Sequence, residues 1–529
     1  QKGITHEKKQ KNGKIIHQWA ARKLPAVEIE SAMPVLSEIA PFIEFSTLTS
    51  WQGIDRWASD MIKPTFQVSN EIADVVQRIA DRNLERKDKI FAVYQYLQQN
   101  VRYVFAHVDR GGYLPHKASK VLSSRYGDCK DQTVLAVTML RELGIEAYPS
   151  LISSNNTLEA SPEIPGLPFD HMITYIPGKS RLDDIWFDTA GEQVLFPGYS
   201  SMIEDRNTLV IDGRGGRFLT TPKYKDDDNA AVIDIVFDPI QDKNVAGNIT
   251  FRYSGGMENY YRSWWINTDD RKLAVAQMIK ELYPIIELQS VTASDLHDLK
   301  KPFSFTAKFI VEEDWSGKSS LSYSASTTQL IRLFTGLGRI VKPEERQHEF
   351  VIEKTTNLKL NLLVKEPGSG FKPILINPGL NQNNQFFRLE QHSKKLGNDY
   401  EISISLRFNK GRISKDNYAE FYSDVQRLIA DKPWLILYES SRSNVAKQRL
   451  DDNQSVAMPE SAESLLNAIK QSLDIGEYAE ALNKAEKYTQ LKPDAGEGYY
   501  LLGLAQGYMD KFDEADFSFN KAKQLGYNF

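Results

Sequence analysis

Between Ser69 and Gln99 the apolar residues recur at helical spacing. Ile72, Val75, Val76 and Ile79 share one face, and Ile90, Val93, Tyr94 and Leu97 share another. Two amphipathic helices are therefore predicted, one from about Ser69 and one over about Lys87 to Gln99. A short strand, Val101 to Phe105, follows. Another amphipathic helix begins near Cys129 and carries Val134, Leu135, Val137, Met139 and Leu140 inward, with Gly144 placed to end it. Ala147 to Ile152 reads as a buried strand. A Ser-, Asn- and Pro-rich loop covers Ser153 to Pro168, and two strands, His171 to Ile176 and Asp184 to Asp188, are joined by a turn around Gly178.

Upstream, Lys14 to Glu28 alternates like a strand before Pro25 interrupts it. Downstream, the hydrophilic run Lys223 to Asn229 reads as a linker. The pattern then turns mostly to β, clearest in Val232 to Phe237, Asn248 to Tyr253, Phe303 to Val311, Leu358 to Val364 and Glu401 to Phe408. Helices interrupt it near Arg271 to Leu282 and Asp416 to Ile429. After an aperiodic stretch, Ser440 to Pro459, Tyr478-Ala479-Glu480-Ala481 recurs as Phe512-Asp513-Glu514-Ala515, with Pro493 at a turn between helices.

The chain's 529 residues exceed one hydrophobic core. The fold class expected is a multidomain α+β protein: residues 1–65 an N-terminal β remnant, 66–222 a thiol domain, 229–445 a β-rich companion domain, and 460–529 helical repeats. A net charge of -5 gives no electrostatic case for nucleic acid as a partner. No apolar run reaches the roughly 20 residues that span a bilayer. The Lys-rich opening after Gln1 has no secretory signal pattern, and a mature exported chain would look the same. Cys129 is the single cysteine, which excludes internal disulfides and multi-cysteine zinc sites.

That cysteine stands in Arg125-Tyr126-Gly127-Asp128-Cys129-Lys130-Asp131. Gly127 permits a close approach to the helix start, and Asp128 is the expected N-cap. Cys129 then occupies the first helical position, where free N–H groups and partial positive charge favour a thiolate and can support an oxyanion. A thiol enzyme also needs a base and a group to hold it. With the turn centred near Lys179 and Ser180, His171 and Asp188 fall directly opposite each other on one face. The imidazole can then bridge carboxylate and thiol, with Ile173 and Trp186 beside it to exclude water.

Other polar residues read more simply. Asp128 caps the helix and Asp131 complements its dipole. Asp170, adjacent to His171, should face away from the thiol. His107 and His116 lack the companions of a metal site, and Asp226 to Asp228 reads as a solvated linker without calcium-ligand spacing. Tyr260, Tyr261, Trp264 and Trp265 read as core aromatics.

Gly-Asp-Cys129-Lys-Asp with its helix, Leu143-Gly144-Ile145-Glu146-Ala147, Phe169-Asp170-His171 and Trp186-Phe187-Asp188-Thr189 resemble the transglutaminase-like branch of the papain-like thiol superfamily. The wording of Gly127 to Asp131 resembles a bacterial subgroup with an N-terminal domain of unknown function, whose tail Ile15 to Pro34 and Ser50 to Trp57 resemble. The 34-residue recurrence near the C-terminus resembles tetratricopeptide repeats, which bind protein partners.

The resemblance implies a Cys129, His171, Asp188 triad acting on peptide or protein amides through a thioester. It implies hydrolysis more than crosslinking, no cofactor or metal, and a periplasmic or secreted bacterial location. The sequence departs from papain-like proteases in having Ser123, Ser124, Arg125 and Tyr126 where a Gln completes the oxyanion hole; Tyr113 and Gln132 are the polar residues nearby in sequence. The other reading is a non-catalytic or partner-gated scaffold of the envelope.

Overall fold

The computed structural model describes residues 4–105, 112–154, 160–191, 194–199, 201–223, 225, 228–240, 244–283, 286–312, 320–335, 341, 345–366, 371–376, 381–430, 434–440, 462–474, 478–509 and 511–527. His107, Asp226, Asp227 and the aperiodic stretch 441–461 lie outside them. The fold is mixed α+β with several sheets and a C-terminal group of helices. Contacts divide it into two compact units, Gln1–Ser443 and Asn444–Phe529.

The predicted helices form where their apolar stripes lie. Ser69 caps Asn70–Ala80 through its side chain, and Ile72, Val75, Val76 and Ile79 are buried. Arg86–Asn100 buries Ile90, Val93, Tyr94 and Leu97. Both pack on the central helix Cys129–Glu142, whose Val134 to Val137 are completely buried. Gly144 follows this helix with φ +72, and the Ile145 amide donates to the Leu140 carbonyl at 2.9 Å, closing the C-terminus. The same core contains Ile54, Ala58 and Ile62 of the helix Trp51–Ile62. The segment Ser50 to Trp57, expected to be the tail of an N-terminal β domain, is thus part of the thiol-domain core. Its stripe Ile54-Ala58-Ile62 finds a complementary apolar surface there.

Asp55 fastens that helix. Fully buried, its carboxylate accepts the amides of Asp212, Gly213 and Gly215 at 3.0, 3.1 and 2.9 Å. Asp55→Ala would remove the shared acceptor of three backbone amides and is expected to cost about 3 kcal/mol, read as a lower urea midpoint, with Asp55→Asn losing less.

A five-stranded antiparallel sheet backs the central helix, in the spatial order Ile185–Phe187, His171–Ile176, Tyr148–Ile152, Asn207–Val210, Arg217–Thr220. Strand His171–Ile176 sends Met172 and Ile176 into the helix core and Ile173 and Tyr175 into a second cluster with Trp186, Tyr199 and Val210. Thr133 on the helix donates to the Met172 carbonyl at 3.1 Å, fixing helix against strand beside the cysteine.

The β region is built on an eight-stranded sheet, antiparallel except for the parallel pairing of Ala230–Ile240 with Thr356–Val364, with a three-stranded and a two-stranded sheet beside it. Ala231, Ile233, Ile235 and Phe237 alternate into its core. Tyr261 and Trp265 are buried there as well, but on a helix, Gly255–Ile266, whose Tyr260 is exposed. In the C-terminal unit, helices start at Ala462, Tyr478, Gly496 and Phe512, so the second pair repeats the first at the 34-residue offset seen in the sequence. Pro493 lies between Tyr478–Leu491 and Gly496–Tyr508.

Candidate active site

Cys129 is the first residue of its helix and is partly exposed. The preceding turn is built for this position. Asp128 accepts the Asp131 amide, and the Asp131 side chain accepts the Asp128 amide, forming a reciprocal capping box. A Cβ at Gly127 would come within 2.6 Å of Asp131 Cβ, so only glycine admits the box at this distance. Asp131 also takes the His116 amide at 2.7 Å and its Nδ1 at 3.0 Å. It therefore pins an incoming loop as well as serving the helix dipole. His116 has this structural role, and among the described residues no cluster of side chains suits a metal ion. The Lys130 ammonium pairs with Asp128 in a buried contact, balancing the cap's charge beside the thiol.

His171 begins its strand and binds Asp188. Its Nε2 lies 2.8 Å from Asp188 Oδ2, with the two side chains only 12% and 8% exposed. Cys129 also acts on the ring, its sulfur favouring the charged imidazole. Burial works against charge on this imidazole. The Asp188 carboxylate, by charge and hydrogen bond, and then Cys129 outweigh it and hold its pKa well above the ordinary histidine value. Asp188 is itself fixed: its Oδ1 accepts the Ala190 amide at 2.8 Å, and its amide donates to the Gly198 carbonyl at 2.9 Å.

The strand register differs from the direct opposition of His171 and Asp188 expected from sequence. Thr174 pairs with Phe187 and Ile176 with Ile185, so the pairing is displaced by two residues and Asp188 lies diagonal to His171. The cause is the connection. Ser180 and Asp183 form a capping box around the single turn Arg181–Asp183, and Asp184 accepts the Gly178 amide at 2.8 Å, which moves the turn's centre toward the C-terminus. A displacement of two preserves the face, and the imidazole spans the diagonal. Asp170 instead accepts the Ser154 amide at 2.6 Å and hydroxyl at 3.1 Å, leaving Asp188 as the carboxylate on His171.

Two polar side chains near the cysteine serve elsewhere. Tyr113 is half-exposed and packs edge-on to Trp57. Gln132 is fully buried and donates to the Gly127 carbonyl at 3.3 Å. A residue that sequence reasoning passed over is Tyr103. Its two-residue strand pairs in parallel with Tyr126–Gly127, immediately before Asp128 and Cys129. Burial, and then the charges of Cys129, Asp128 and Asp188, push its phenol well above the usual tyrosine pKa.

Residues 73–151 match the family model described as the transglutaminase-like superfamily, and the chain contains a transglutaminase-like domain. No curated protein matches the chain. Among solved structures, a crystal structure of a proposed protease from Parabacteroides distasonis ATCC 8503 is similar. It is 13% identical, with 82% of this chain and 68% of that one covered and a TM-score of 0.49. No described helix is long and apolar enough to cross a membrane.

Proposed function

We propose that this protein is a cysteine acyl-transfer enzyme acting on peptide or protein amides, with Cys129 as nucleophile, His171 as base and acid, and Asp188 orienting the imidazole. The observation that carries the reading is His171 bound to the Asp188 carboxylate and acted on by a thiol at a helix N-terminus. In this reaction the Cys129 sulfur bonds to the amide carbon while the carbonyl π pair moves onto oxygen. The tetrahedral intermediate collapses, the C–N bond breaks, and the amine leaves with a proton from His171. Water then gives a proton to His171 and attacks the thioester, releasing the acid and the thiol. An amine in place of water would crosslink. The partly exposed Cys129 favours hydrolysis, because water reaches the thioester freely. The C-terminal helices, on this reading tetratricopeptide-like, would hold a protein partner, and the location would be the bacterial envelope or beyond it.

The test is product analysis by mass spectrometry after incubation with a mixture of protein-derived peptides and a primary amine. Cleaved or deamidated peptides should outnumber amine adducts, and Cys129→Ala should form neither. Products that persist in Cys129→Ala, or none from the parent protein, would leave the scaffold reading in possession.

A further inference from the structure

Asp188 stands one residue beyond the end of its strand, Ile185–Phe187, so the strand alone does not aim its side chain. The turn that follows does. Asp188 Oδ1 accepts the Ala190 amide at 2.8 Å, which leaves Oδ2 for His171 Nε2 at 2.8 Å. The Ala190 N–H belongs to the same peptide group as the Thr189 carbonyl. That peptide is trans, so its N–H and C=O point in opposite directions from one rigid plane. Whatever holds the carbonyl therefore also holds the N–H on which Asp188 is anchored.

The carbonyl is held by Gln98, near the end of the helix Arg86–Asn100. Gln98 Nε2 donates to the Thr189 carbonyl at 3.2 Å and to the Gly191 carbonyl at 2.9 Å. A primary amide carries two N–H bonds on one nitrogen, so a single side chain serves both. One turn earlier, the Tyr94 hydroxyl donates to the Val194 carbonyl at 2.6 Å. Residues four apart share a helix face, and this pair grips the one segment that leaves Asp188. Tyr94 is fully buried and packs edge-on to Phe187, the residue before Asp188, which fixes the helix against the strand. We propose that Gln98 is a positioning residue of the triad, locking the 189–190 peptide group and through it aiming Asp188 at His171. The inference rests on the acyl-transfer reading and adds to it a residue that acts through Asp188.

Without the Gln98 amide the 189–190 peptide is free to turn about its flanking bonds, and Asp188 Oδ1 loses a fixed donor. The carboxylate then spends less time with Oδ2 at the ring. Asp188 and Cys129 are the charged groups that act on His171, so the loss falls on the stronger of the two.

The test follows iodoacetamide alkylation of Cys129 from pH 5 to 9. The His171-dependent rate is the difference between each protein and its own His171→Ala counterpart. We expect this rate in Gln98→Met to fade at lower pH than in the parent, as in Asp188→Asn, and to be about fivefold lower at pH 7. Gln98→Asn keeps an amide but is a methylene too short to reach the carbonyls. It should give the same profile, and it carries the test if the Met variant fails to fold by its urea transition. Adding either substitution to Asp188→Asn should change the rate by less than about twofold, because the carboxylate to be aimed is gone. A profile superimposable on the parent's overturns the role of Gln98 and leaves the enzyme reading standing. An undiminished further loss in the Asp188→Asn background overturns it too, since Gln98 would then support the fold without acting through Asp188. A parent protein with no His171-dependent rate overturns the acyl-transfer reading and this inference with it.

Discussion

His171→Ala should slow alkylation of Cys129 by iodoacetamide at pH 6 by about tenfold or more and acyl transfer by about 100-fold or more. The expectation follows from the two groups that act on one ring. Asp188 and Cys129 together raise the His171 pKa against the effect of burial, so the imidazolium persists at pH values where an isolated histidine is neutral. The charged ring beside Cys129 assists the attack of its sulfur on the alkylating agent. Because the folded pKa is raised, this group stabilises the fold fully below the unfolded histidine value of about 6.5. That contribution is lost as pH rises through the folded value. Asp188→Asn removes the foremost raising cause, so both the stabilisation and the imidazolium-assisted reactivity should fade at lower pH than in the parent protein. Rates measured from pH 5 to 9 read this directly, since the chain has one cysteine. Superimposable profiles for parent and Asp188→Asn would show that the carboxylate does not govern the ring.

Arg262→Ala should destabilise the larger unit by about 3–5 kcal/mol, seen as a lower urea midpoint for its unfolding. Arg262 and Glu258 form an ion pair exposed by only 1% and 0%. Glu258 Oε1 accepts Arg262 Nε at 2.7 Å and the Phe303 amide at 3.1 Å, while the guanidinium also donates to the Leu296 and Lys301 carbonyls at 2.8 Å each. Burial raises the Glu258 pKa even against Arg262, so removing the cation would leave a carboxylate that must take up a proton or remain unpaired. The loop held by Arg262 carries Leu299, which is buried in the thiol-domain core. The Leu299 carbonyl accepts the Phe196 amide at 2.8 Å, and Phe196 packs on Tyr94 and Phe187, in the segment that returns to Asp188 through Gly198. Loss of Arg262 should therefore also reduce His171-dependent alkylation. The double variant Arg262→Met with Glu258→Gln should recover part of the stability, because it buries no unpaired charge. A single variant as stable as the parent would remove Arg262 from this account.

Much of this arrangement was legible from local pattern. Ser69 before a 3.6-residue stripe, Asp128 with Asp131 around Cys129, and Gly144 at the helix end each specify structure within one or two turns, and each forms as expected. Alternation likewise located the strands whose buried residues include Ile233, Ile235 and Leu360. What the sequence concealed depends on contacts between distant segments. The Ser180–Asp183 box displaced the His171–Asp188 register by two, a detail that hydrophobic alternation cannot distinguish because the face is unchanged. Trp51–Ile62 looked like an appendage until Asp55 met the backbone amides of 212–215. The helix Gly255–Ile266, with its consecutive aromatics Tyr260-Tyr261 and Trp264-Trp265, gave no clear period at either spacing. The position of Tyr103 beside Gly127 was likewise hidden, because its two-residue strand acquires meaning only when paired.

The most direct test of the central claim is the intact mass of the protein, acid-quenched at intervals during incubation with p-nitrophenyl acetate. The account predicts a single acetyl adduct that hydroxylamine removes, that is absent in Cys129→Ala, and that forms far more slowly in His171→Ala. No adduct, or one that resists hydroxylamine and persists in Cys129→Ala, would contradict a thioester on Cys129 and with it the proposed enzyme.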